Sequence, residues 1–185
     1  MLKRFNYNSP VILTLTFLAL GVVAVHELMG NYLTIRFFSV YRSSFLDVFS
    51  YIRLFGHVLG HANWAHYINN FLLILILGPM LEEKYGSKKM LGMIAVTALV
   101  TGLLNIILFK NVALLGASGI VFMLILLSSF VNIQKGTIPV TLLLVIVIYL
   151  GREILNGVFV RDNISQLTHL VGGICGCVFG FRGKG

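Results

Sequence analysis

The chain has 185 residues, 58% of them hydrophobic and 11% charged, with a mean hydropathy of +0.95 and a formal net charge of +8 at pH 7. That balance excludes a soluble globular domain and marks an integral membrane protein. In such a chain, positive charge reports topology before it reports nucleic acid, so no nucleic-acid partner is expected.

A helix that crosses the hydrocarbon core needs roughly 20 mostly apolar residues, and six segments qualify. The first runs from Pro10 to Met29 behind Lys3 and Arg4. It lacks a small-residue cleavage site after its apolar run and reads as a retained anchor. The second spans Trp64 to Leu81, the third Lys89 to Phe109, the fourth Val112 to Val131, the fifth Thr137 to Leu155 and the sixth Ser165 to Phe181. The fold class is therefore all-α: a polytopic bundle of six transmembrane helices forming one domain over residues 1–185.

If the amino terminus is cytoplasmic, the inner ends hold Lys3, Arg4, Lys84, Lys88, Lys89, Lys135, Arg182 and Lys184. The outer connections hold Arg36, Arg42, Arg53, Lys110, Arg152 and Arg161. The inner residues crowd into short loops, where charge counts most, which favours both termini inside a bacterial cytoplasmic membrane. One connection is unusual: Gly30 to Asn63 separates the first two spans by more than thirty residues and mixes aromatics with arginines. That mixture predicts short helices lying in the interface. Cys175 and Cys177 are two apart on a helix, face different ways and read as packing residues.

Polar residues at membrane depth are costly, so each is a candidate for function. In HANWAHYINN, Asn63 can cap the second span, which puts His66 and Asn70 at i, i+4 on one face. His61 lies just before, in the loop. In LGASG, Gly116 and Ala117 form a turn from which Ser118 can open a helix, its first N–H groups unsatisfied and available to an oxyanion. In THLVGGICG, His169, Gly172 and Gly176 share a face that Gly180 extends. Such a face lets another backbone approach closely. A hydroxyl becomes a nucleophile when a base takes its proton, and histidine is the usual base. Ser118 and His169 therefore form a candidate dyad, His66 and Asn70 its candidate side-chain donors, and Phe122, one turn after Ser118, a candidate support for the imidazole. No acidic residue stands beside His169 in sequence, so a dyad is simpler than a triad. No metal or organic cofactor is indicated.

These blocks resemble the rhomboid family of intramembrane serine proteases: Arg53 in the first loop, then His61, His66 and Asn70 in H-x-x-x-x-H-x-x-x-N, Gly116 to Gly119 in G-x-S-G, and His169, Gly172 and Gly176 in H-x-x-G-x-x-x-G. Glu82 followed by Gly86 looks like the family's turn after the second helix. The resemblance covers Tyr51 to Gly180. It implies Ser118 as nucleophile, His169 as general base, and His66, Asn70 and the Ser118 N–H as the oxyanion hole. It further implies that His61 organises the loop and the polar approach, and that Gly119 and Gly172 allow helix contact. The implied substrates are other transmembrane proteins within the lipid bilayer, admitted past the fifth span; the oligomeric state is not legible. Two positions depart from the family pattern: Ile52, where many relatives carry Trp, and Phe122, where many carry Tyr. Two other readings stay open here: a small transporter or channel lined by intramembrane histidines, and an inactive rhomboid-like protein that binds membrane clients.

Overall fold

In the computed structural model, residues 6–44, 46–131, 140, 143–148 and 163–183 are described, with side chains of the last segment from 166 onward. The elements in chain order are α1 (Pro10–Met29), α2 (Tyr32–Phe38), α3 (Val48–Gly56), α4 (Trp64–Tyr85), α5 (Ser87–Leu108), α6 (Ser118–Ser128) and α7 (Asn163–Arg182). The fold is all-helical. Among the described residues, α1, α4 and α5 are long and apolar enough to cross a membrane. The fifth expected span, 137–155, lies outside the described residues except for 140 and 143–148, which are helical.

The long first connection contains α2 and α3, the short helices its composition predicts. Asp47 caps α3 by accepting the Phe49 N–H at 3.1 Å, a common solution for the orphan donors of a first turn. The segment folds around Arg53, which is 1% exposed. Its Nη2 donates to Asp47 at 2.6 Å, Ser50 at 2.9 Å and Ser43 at 3.0 Å, Nη1 donates to the Arg36 carbonyl, and the guanidinium lies over the Tyr41 ring. Arg53 holds the Asp47 carboxyl below the usual carboxylate range. Ile52, by contrast, points outward.

Helix α6 occupies the centre. Gly119, Ile120, Val121 and every residue from Met123 to Leu127 are buried, as expected for a helix apolar on all sides. It packs on α4, α5 and, most extensively, α7.

Four helices differ in their bounds from the sequence expectation. The fourth span was expected over Val112–Val131, but the helix is Ser118–Ser128. Leu114 is drawn instead into an antiparallel bridge with Val40, through N–H···O bonds of 2.8 and 2.9 Å. Gly116 then turns the chain with φ +121, a conformation that L side chains rarely adopt. Eleven residues rise only about 16 Å, so α6 does not span a bilayer by itself. Helix α4 continues beyond Leu81 to Tyr85, tolerating Pro79, and stops at Gly86 with φ +83. Helix α5 begins two residues earlier than expected and ends one earlier, and α7 extends from Asn163 to Arg182.

The extension of α4 carries Glu82 to the start of α1. Its buried carboxylate accepts the N–H groups of Val11 and Ile12, each at 3.0 Å, and the Ser87 hydroxyl at 2.7 Å. A carboxylate at a helix N-terminus meets both unsatisfied donors and the positive end of the dipole. At the same end, Lys84 donates to the Phe130 and Val131 carbonyls just beyond α6, and Gly183 approaches the Tyr85 ring. The start of α1, the α4–α5 turn and the ends of α6 and α7 therefore meet at one end of the bundle.

Candidate active site

The opposite end holds the polar motifs, and three sets of contacts assemble it. The first presents Ser118. Ala117 is the N-cap of α6, and its carbonyl receives the Val121 N–H at 3.0 Å. The N–H groups of Ser118, Gly119 and Ile120 precede that bond at the start of the helix, and no side chain caps them. The turn before them is held from outside the helix. Gly116 N–H donates to the His57 carbonyl at 2.9 Å, and Asn105 Nδ2 donates to the Val40 and Val112 carbonyls at 3.0 and 3.1 Å.

The second set brings in α4. Asn63 accepts the His66 N–H at 2.8 Å from an extended backbone, which starts the helix where its spacing predicts. His66 and Asn70 then face the turn. A Cβ built on Gly116 would stand 2.8 Å from His66 Nε2 and 3.9 Å from Asn70 Nδ2. Gly116 is thus required twice, for its backbone angle and for the space that the imidazole fills. Asn70 Nδ2 also donates to the His66 carbonyl at 3.1 Å, which limits its rotation.

The third set brings in α7. A Cβ on Gly172 would fall onto the Gly119 carbonyl, one on Gly176 onto the Met123 carbonyl, and one on Gly180 onto the Phe130 ring. The glycine stripe is therefore a line of backbone contact with α6. The rings of His169 and Phe122 stack at 4.2 Å with 6° between planes. Ser118 stands one turn above Phe122 on the same face, so the hydroxyl-bearing residue and the imidazole belong to one helix seam. His169 also lies within electrostatic reach of His66.

His61 is placed differently from its implied role in a polar approach. It is completely buried, with Nδ1–H donating to the Leu59 carbonyl at 3.1 Å, and it packs edge-on against His66 at 4.9 Å between ring centroids. Burial, with a smaller contribution from His66, pushes its imidazole down to about 4, so it is a neutral wedge behind His66. The Arg53 side chain makes its hydrogen bonds within the first connection.

Sequence reasoning missed His57, Thr101 and Asn105. His57 is buried, its Nδ1–H donates to the Leu54 and Arg53 carbonyls at 3.1 and 3.2 Å, and its Nε2 lies 3.3 Å from Thr101 Oγ1. Burial pushes this imidazole down to about 4 as well. Thr101 also approaches Gly119, where a Cβ would meet its methyl at 3.2 Å. The available signal was periodic: Thr97, Thr101 and Asn105 recur at i, i+4, i+8 on an otherwise apolar helix, and all three are buried.

No curated protein matches the chain. A family model does: the Rhomboid domain matches residues 48–184, which takes in α3 through α7 and every motif that meets around the Gly116–Gly119 turn. With its apolar helices this makes the chain an integral membrane protein, and it belongs to the rhomboid family.

Proposed function

We propose that the protein is an intramembrane serine endopeptidase that cuts other transmembrane proteins in or near their helices. The observation that carries this reading is the convergence on one turn: His66 and Asn70 fill the space beside Gly116, while the α7 glycines bring the helix bearing His169 against the helix that Ser118 opens.

In this reading neutral His169 takes the Ser118 hydroxyl proton as the oxygen bonds to the scissile carbonyl carbon. The carbonyl electron pair moves onto oxygen, and the Ser118 N–H, His66 and Asn70 donate to that oxyanion. Collapse of the intermediate breaks the C–N bond, and imidazolium returns the proton to the departing amine. Water then repeats the sequence on the acyl-enzyme and frees Ser118. Phe122 braces the imidazole by stacking, in place of an orienting carboxylate. A peptide bond inside an intact helix is shielded, so substrates whose segment unwinds at Gly or Pro are preferred.

We place both termini on the cytoplasmic side of a bacterial inner membrane. Lys84, Lys88, Lys89 and Arg182 collect at the end where α1 starts and α7 finishes, in agreement with the positive-inside bias, and the serine turn lies at the other end.

The test is cleavage of reconstituted single-span substrates that differ in helix-breaking residues. Wild type cuts the Gly- and Pro-containing members, and neither Ser118→Ala nor His169→Ala cuts any. Cleavage that survives Ser118→Ala rules the reading out.

A further inference from the structure

A groove runs along α7 behind the His169–Phe122 stack. Leu126, Ile146, Gly173, Ile174 and Val178 line it, and it extends from His169 to Phe181 with a volume of about 270 Å³. Its walls are almost wholly apolar, and Ile174, Val178 and Phe181 are exposed among the described residues.

Size selects the occupant. A dry apolar cavity of about 150 Å³ already holds benzene, so a groove of this volume has room for part of a hydrocarbon chain. The groove therefore suits a flexible hydrocarbon chain. Phe181 is twelve helical steps beyond His169, about 18 Å of rise, close to the ~15 Å of one leaflet of a ~30 Å hydrocarbon core.

Charge selects the headgroup. Ile174, Val178 and Arg182 stand at i, i+4, i+8 and share one face of α7, so the groove wall ends in a cation at the bundle end. Arg182 is exposed and makes no ion pair among the described residues. An arginine at the end of a membrane helix is well placed for an anionic lipid headgroup.

We propose that this groove binds one tail of an anionic glycerophospholipid, with its phosphate held by Arg182. The binding does not depend on the hydrolytic reading, and its test reads lipid contact alone.

The experiment uses full-length protein in nanodiscs of phosphatidylcholine that contain phosphatidylglycerol with a diazirine in its acyl chain, followed by peptide mapping after illumination. Adducts concentrate on α7 around Ile174 and Val178. In Gly173→Leu the new side chain occupies the tail's space, and because its Cβ meets Leu126 at an ordinary 3.6 Å the helix pair is kept. This variant reduces α7 adducts to the level of outward α1 residues such as Phe17 and Leu18. Arg182→Gln lowers α7 labelling by phosphatidylglycerol roughly fivefold and leaves labelling by a phosphatidylcholine probe unchanged. Adducts no denser on α7 than on α1, or unaffected by Gly173→Leu, reduce the groove to ordinary annular lipid and overturn the proposal. A phosphatidylcholine probe that labels as strongly as phosphatidylglycerol overturns the headgroup assignment.

Discussion

The two ends of this bundle both place polar groups in an apolar protein, and they do so in opposite ways. At one end the Glu82 carboxylate receives two backbone N–H groups and a hydroxyl, and so joins α1, α4 and α5. At the other end the first N–H groups of α6 have no side-chain cap, and His66, Asn70 and small residues surround them. Buried polar groups are costly unless partnered, so a satisfied network fixes geometry. A set of donors left at an uncapped helix start can instead meet a transient oxyanion. The same chemical cost thus accompanies a joint at one end and a proposed site at the other.

The comparison can be broken or sharpened by substitution. The largest effect is expected for Gly172→Val, because a Cβ there falls onto the Gly119 backbone, which has no flexible side chain to move aside. The α6–α7 seam should open at a cost of 3 kcal/mol or more by order-of-magnitude reckoning, about the upper range for overpacking. Thermal unfolding in detergent and loss of all cleavage would register it. His66→Ala should lower kcat by roughly 10²–10³ with little change in unfolding temperature, as for loss of one oxyanion donor. An equal loss of stability and activity would make His66 a packing residue instead.

Glu82→Ala should do the reverse. It leaves one buried and one part-buried N–H group without an acceptor, so it should cost about 3 kcal/mol of stability, while the folded fraction retains its kcat. Glu82→Gln should recover part of that stability.

Acid should act through the buried imidazoles. His57 and His61 have folded values near 4, well below the ordinary value of 6.5. Their neutral forms stabilise the fold fully above pH 6.5, and this contribution is lost as pH falls toward 4, because the unfolded chain takes up the protons first. A loss on the order of 3 kcal/mol per imidazole across that window is expected, and His61→Phe should roughly halve the total. The smallest effect is expected for Phe122→Tyr, which keeps the stacked ring and should change kcat less than about fivefold.

Much of the site was legible because its signals are local. Asn63 as a cap, the i, i+4 placement of His66 and Asn70, Ser118 as the first helical residue and the spacing of Gly172 and Gly176 all follow from helix geometry within a few residues. What was not legible depends on distant partners. Hydropathy could not separate the non-helical Val112 to Ala117 stretch from the helix after it, because Val40, 74 residues away, pairs with Leu114. The importance of Asn105 and His57 likewise comes from backbone carbonyls and N–H groups of other segments. His61 could be placed in the loop from sequence, but its complete burial could not.

The most direct measurement is labelling with a fluorophosphonate probe followed by peptide mapping. Wild type should carry one adduct, on Ser118, and His169→Ala should abolish it without altering the unfolding temperature. An unlabelled wild type, or labelling that is undiminished in His169→Ala, would contradict the central claim that the α6–α7 seam couples a serine to its base.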